Sequence, residues 1–236
     1  MYLDVLREVL DVAVRKKFLP ANPAIGARPI KKDSVPAAQK RRPWSRQQIK
    51  DFFEGKFYQS CAPGVAEPYD KPDRAWRFWL PLIMLFSGAR PNEIAQLHVK
   101  DVQRTPTGTW FLDLADEAGE DGKSLKTISS RRRVPLHPEL IRFGFLDFVK
   151  VRKSSMAEHG PRLFHELKAN KYGNLAWYAA RRFNEVFVPA EIQLDARQSP
   201  FPLARLRFPD EHLLRRVKTV LSLQHDLGKS LMRQSL

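Results

Sequence analysis

Arg90 and Glu93, an arginine and a carboxylate three residues apart, form the pair in this chain best suited to holding an anion. They lie in the segment Leu85-Phe-Ser-Gly-Ala-Arg-Pro-Asn-Glu-Ile-Ala-Gln-Leu-His-Val-Lys-Asp101. An apolar run stops there at Gly88, and Pro91 opens a second helix where a first-turn proline is tolerated. An arginine at such a turn, with a carboxylate three residues on, can be held rigidly. A rigid guanidinium can grip a phosphate through two parallel hydrogen bonds. The same spacing equally suits a structural salt bridge at a helix end. Downstream, Arg131, Arg132 and Arg133 precede Val134-Pro135-Leu136. By itself that stretch reads as an exposed, alternating basic strand.

The elements that must position these groups follow from periodicity. Leu3, Leu6, Val9, Leu10 and Val14 predict an amphipathic helix over residues 2–18. Five prolines between residues 19 and 43 predict an extended linker. Its Lys31, Lys32, Lys40, Arg41 and Arg42 suit either a solvated tether or a strap along DNA phosphates. Ser45 and Gln48 then form a capping box, and Trp44 and Ile49 a hydrophobic staple, for a helix running to about Phe53. Residues 55–72 read as loop-rich. The run Asp73–Ser87 reads as a buried core helix that Pro81 must bend or restart. A short helix over Pro91–Leu97 follows. Residues 109–114 and 124–136 read as strands around an acidic turn at 116–123, and Leu140–Val151 and Leu175–Phe187 as helices. The expected fold class is mainly α with a small antiparallel sheet. The expected organisation is a helical remnant over 1–25, a basic linker over 26–43, a main domain over 44–192 and an atypical tail over 193–236.

The formal net charge of +15 over 236 residues points to a polyanionic partner, nucleic acid above all. Cys61 is the single cysteine, which excludes an internal disulfide and a cysteine-rich zinc site. The longest apolar stretch, Trp79 to Phe86, is too short to span a bilayer. The N-terminus mixes acid and base at once, unlike a signal peptide. A cytoplasmic protein, nucleoid-associated when bound to DNA, is the expectation, with no membrane partner. The sequence has no glycine-rich phosphate loop, no clustered metal ligands and no Gly-x-Ser-x-Gly elbow.

The arginine segment resembles the first arginine box of the tyrosine recombinase (phage integrase) family, roughly Thr/Ser-Gly-x-Arg-x-x-Glu-x-x-x-Leu-x-x-x-Asp. Ser87, Gly88, Arg90, Glu93, Leu97 and Asp101 fall in register. The segment from Lys126 to Leu136 resembles the family's β-hairpin, where a lysine precedes an arginine-rich strand ending in Val-Pro-Leu. The stretch from Arg162 through Tyr172-Gly173 to Phe183-Asn184 resembles the approach to the second arginine box, and the likeness covers roughly residues 5 to 190. It implies the DNA breaking-rejoining fold, with Arg90 on the scissile phosphate and Glu93 as its support. It implies Lys126 as the general acid that protonates the leaving 5′-oxygen, with Lys123 a weaker candidate. Arg131, Arg132 and Arg133 would touch backbone phosphates or support the hairpin. Double-stranded DNA is the implied partner, and intact relatives assemble as oligomers on it. No metal or cofactor is needed, because a phosphotyrosine conserves the bond energy.

The likeness stops short of the second half of that active site. No His-x-x-Arg-His box follows residue 190; His212 and Arg215 have the spacing but not the flanks. No tyrosine follows Tyr178, so no nucleophile is assigned; Tyr172 and Tyr178 read as core or loop residues. The codons of Phe201-Pro-Leu-Ala, read one nucleotide later, can encode Phe-His-Ser-Leu, but the shifted codon at Arg205 cannot encode Arg; the tail reads as truncated or frame-disrupted with further decay, or the match is coincidence. The expected function is therefore that of a catalytically incomplete site-specific integrase. The alternative is a non-catalytic DNA-binding protein or regulator.

Overall fold

The computed structural model describes residues 2–28, 42–63, 74–115, 131–195 and Gln198. The chain divides into two compact units, Met1–Lys40 and Arg41–Leu236. Lys123, Lys126, Lys31, Lys32, Lys40, Arg41, His212, Arg215 and the 116–123 turn lie outside the described residues.

In the first unit, helix α1 spans Tyr2–Arg15. It ends in a Schellman-type turn: the Phe18 N–H donates to Ala13 and the Lys17 N–H to Val14, with Lys17 at φ 59° in the position glycine usually takes. The segment after it is not extended, as the prolines suggest, but turns back on α1. Arg7 Nε donates to the Ala24 carbonyl at 3.1 Å, and the buried Asn22 donates to the Arg7 carbonyl and to Asp11. These long-range bonds tie the turn at residues 22–24 to the middle of α1. The covered stripe is narrower than expected. Leu3, Leu10 and Val14 are half-buried, whereas Leu6 and Val9 stay exposed.

The second unit is mainly helical with a three-stranded antiparallel sheet. Ser45 caps α2 (Arg46–Glu54) in a reciprocal box with Gln48, and the staple residues Trp44 and Ile49 are both buried. Residues 56–59 are not loop but a helical turn, α3 (Lys56–Gln59), because Phe57 and Tyr58 are drawn into the core. Phe57 stacks on Phe187 at 4.0 Å, and Tyr58 Oη donates to the Phe78 carbonyl. Helix α4 (Trp76–Ser87) buries ten of its twelve residues and forms the axis of the core. It runs unbroken through Pro81. Burial on every face, about 1.5–3 kcal/mol for each large apolar side chain, outweighs one lost intrahelical bond.

Gly88, at φ 64°, ends α4, and α5 (Pro91–Ala95) follows with proline in its first turn. A 3₁₀ turn, Val99–Asp101, leads into β1 (Val102–Arg104), a strand the alternation does not signal because it is three residues long. β1 pairs with β2 (Trp110–Leu114), and β2 with β3 (Arg132–Pro135). The helix expected over 140–151 is split into α6 (Pro138–Arg142) and α7 (Phe145–Ser154) at Gly144, whose φ of 87° only glycine adopts cheaply. After α8 (Met156–His159), α9 (Trp177–Arg182) continues as a π-helical turn, Phe183–Phe187, and then as α10 (Val188–Glu191). Phe183 and Phe187, four residues apart and so on one face, both reach the aromatic cluster around Phe57 and Trp76.

Candidate functional site

Each residue of the Ser87-to-Asp101 segment that carries the resemblance has a definable task. Ser87 Oγ donates to the Ile83 carbonyl and accepts from the Ala89 N–H, which tightens the exit from α4. Gly88 supplies the left-handed turn. Leu97 is buried, and Asp101 Oδ2 accepts from the His98 N–H at 2.7 Å to cap the 3₁₀ turn. Arg90 is thereby placed at the N-cap of α5, its backbone held from both sides.

Glu93 is the centre of the site. Its side chain is buried, and Oε2 accepts from the Arg90 N–H at 2.9 Å, which is half of a capping box. Oε1 meets Arg90 Nη1 at 3.2 Å, and Oε2 also meets Arg132 Nη2 at 2.8 Å. Burial pushes this carboxyl up, but the hydrogen bonds from Arg132 and the Arg90 backbone, with both positive charges, outweigh it. Glu93 is held below the ordinary glutamate range and stays ionised. The side chain of Arg90 is 55% exposed, so the guanidinium is oriented by a buried anion yet accessible.

The sheet gives the three arginines, expected to touch backbone phosphates or support the hairpin, different surroundings. In the β2–β3 register, Arg132 lies opposite Leu114 and Arg133 opposite Asp113. Arg132 therefore shares the inward face and reaches Glu93, a role the run of three arginines does not single out. Arg133 lies on the other face, 3.6 Å from Asp113 and over the Phe111 ring. Arg131 is exposed at the strand entrance. Arg42 forms a long ion pair with Asp195 at 3.9 Å.

An open groove of about 690 Å³ runs beside Arg90. Asn92, Trp177, Arg181, Asn184 and Glu185 contribute to its walls. Its two sides are tied together by Asn92, whose Oδ1 accepts from the N–H groups of Leu175 and Ala176 at the start of α9. That cap joins residues 83 and 84 positions apart, so no local pattern signals it. Tyr172 sits in an exposed turn, as expected, but Tyr178 is half-exposed on α9 with its ring edge-on to Trp76. Neither residue is among the lining of the groove.

Among the described residues, no cluster of three or more His, Cys, Asp or Glu side chains could hold a metal ion, and no helix is long and apolar enough to cross a membrane. No protein-family model, curated protein or solved structure matches the chain.

Proposed function

We propose that this chain binds double-stranded DNA by gripping a backbone phosphate with Arg90, as the incomplete catalytic domain of a tyrosine-type site-specific integrase. The observation that carries the reading is the buried Glu93 carboxylate holding an exposed Arg90 on one side and Arg132 on the other. An ionised carboxylate that fixes a guanidinium at a turn pre-organises it for a planar, bidentate phosphate contact. The net charge of +15 supplies the long-range attraction to a polyanion. A mainly helical unit with a small antiparallel sheet next to the arginine turn is compatible with the DNA breaking-rejoining fold. Lys126, as general acid, belongs to the same proposal.

Phosphotyrosine formation needs a nucleophile and a second arginine box, and no tyrosine follows Tyr178. The second reading is a non-catalytic DNA-binding protein or regulator, for which the basic charge and the Arg90 turn suffice. Two measurements separate the outcomes. Affinity for a duplex should fall steeply with salt and weaken in Arg90→Ala; salt-insensitive binding, or none, rejects the DNA reading. A nicked suicide substrate should trap no covalent adduct. A trapped adduct would show that a tyrosine of this chain is catalytic.

A further inference from the structure

The geometry points to a second element of the same groove: a platform for one unstacked DNA base, with Trp177 as the stacking surface. This rests on the phosphate reading of Arg90 and extends it to the nucleoside beside that phosphate. Trp177 is a large aromatic residue left 47% exposed on α9, and it lines the groove that Arg90 lines. Its orientation is braced. The Arg181 guanidinium lies over the indole, 5.7 Å from the ring centroid, and both Glu185 oxygens hold Arg181 at 2.9 and 3.1 Å. A braced, exposed indole loses little side-chain freedom when a base stacks on it, and every base has a π-face to offer.

Polar groups around the indole suit the edge of a base. Asn184 lines the groove, and its Oδ1 is buried without a hydrogen-bond partner among the described residues. A buried acceptor that receives no donor is costly. A turn of the amide toward a base's exocyclic amine relieves it. Asn184 lies in the π-helical turn, an irregularity that recurs at functional sites. The Asn92 cap keeps the Arg90 turn and the Trp177 helix in one frame, so a phosphate and its base can be held together. A volume of about 690 Å³ is ample for a single nucleotide. A fully paired duplex offers no such base, because its bases are stacked inside. The groove therefore favours a duplex with an extrahelical nucleotide, or a single strand, over a perfect duplex.

The test uses the full chain and two labelled duplexes of equal length and salt, one fully paired and one with a central bulged 2-aminopurine. The bulged duplex is expected to bind about tenfold more tightly, with the 2-aminopurine fluorescence quenched on binding. Trp177→Ala should abolish that preference, and Trp177→Phe should keep part of it. Far-UV circular dichroism checks that these surface variants stay folded. Arg90→Ala should weaken binding to both duplexes. If Trp177→Ala leaves the bulged-to-paired ratio unchanged while Arg90→Ala still weakens both, the base platform is wrong and the phosphate reading stands. If Arg90→Ala changes neither, the phosphate reading fails with it. Equal affinity of the unmodified chain for the two duplexes also overturns the platform.

Discussion

Arg132 Nη2 and the Arg90 backbone N–H donate to the same oxygen, Oε2 of Glu93, at 2.8 and 2.9 Å. The carboxylate thus ties the inner face of β3 to the turn that presents Arg90. A single buried group serves as helix cap, counter-ion and sheet anchor.

Glu93→Ala is therefore expected to cost more than a cap. It removes the counter-ion of Arg132 and the N-cap bond together. The loss should be on the order of 2–3 kcal/mol, the low side for a broken buried pair because both arginines keep partial access to water. Urea unfolding measures this, and a change under about 0.5 kcal/mol would contradict the anchor role. DNA affinity should fall as well, since Arg90 loses its orientation.

The pH dependence has opposite signs at two buried carboxyls. Glu93 is held below its unfolded value, so its stabilisation is fully present above that value and is lost as pH falls through the lower, folded one. Glu166 is shifted the other way: burial raises its carboxyl, more than the hydrogen bonds at Glu166 and Trp76 and the charges of Arg152 and Arg74 lower it. Its stabilisation is present below the unfolded value and is lost as pH rises through the folded one. Glu166→Gln keeps an oxygen for the Trp76 N–H and should be more stable than the unmodified chain at neutral pH. The gain should vanish in acid. A neutral-pH loss would mean that the charge of Glu166, not its burial, dominates.

Asn92→Ala should free the N–H groups of Leu175 and Ala176, which lead into α9, and loosen the groove. The expected cost is about 1–2 kcal/mol, as for other lost caps. Asn92→Asp keeps the acceptor and adds a favourable charge at a helix start, so it should restore stability. Hydrogen exchange at Leu175 and Ala176 is the direct readout. Unchanged protection in Asn92→Ala would sink the capping role.

Arg90→Ala should lower the slope of log affinity against log salt by close to one, the signature of a single lost phosphate contact. A weaker affinity with an unchanged slope would assign Arg90 to the fold and not to DNA.

Much of the arginine turn was legible because its determinants are local. Gly88 ending a helix, Pro91 opening one and Glu93 reaching back three residues are short-range rules, and each holds in the structure. The Ser45–Gln48 box and the Trp44–Ile49 staple hold for the same reason. The splitting at Gly144 was also written locally, in a glycine that the apolar pattern across it obscures. Less legible were β1, too short to alternate, and α3, made helical by the burial of Phe57 and Tyr58.

The charge, the helix-rich pattern and the Arg90–Glu93 pair follow from composition and from neighbours within one or two turns, so they can be read along the chain. Which arginine of β3 meets Glu93 is settled by the packing of the sheet. That choice needs the β2–β3 register, and one residue of slip would turn Arg132 outward and Arg133 inward. The tertiary structure also decided that Asn92 caps a helix 83 residues away and that Trp177 shares a groove with Arg90. Such contacts join distant parts of the chain through packing, for which no local spacing exists to be read.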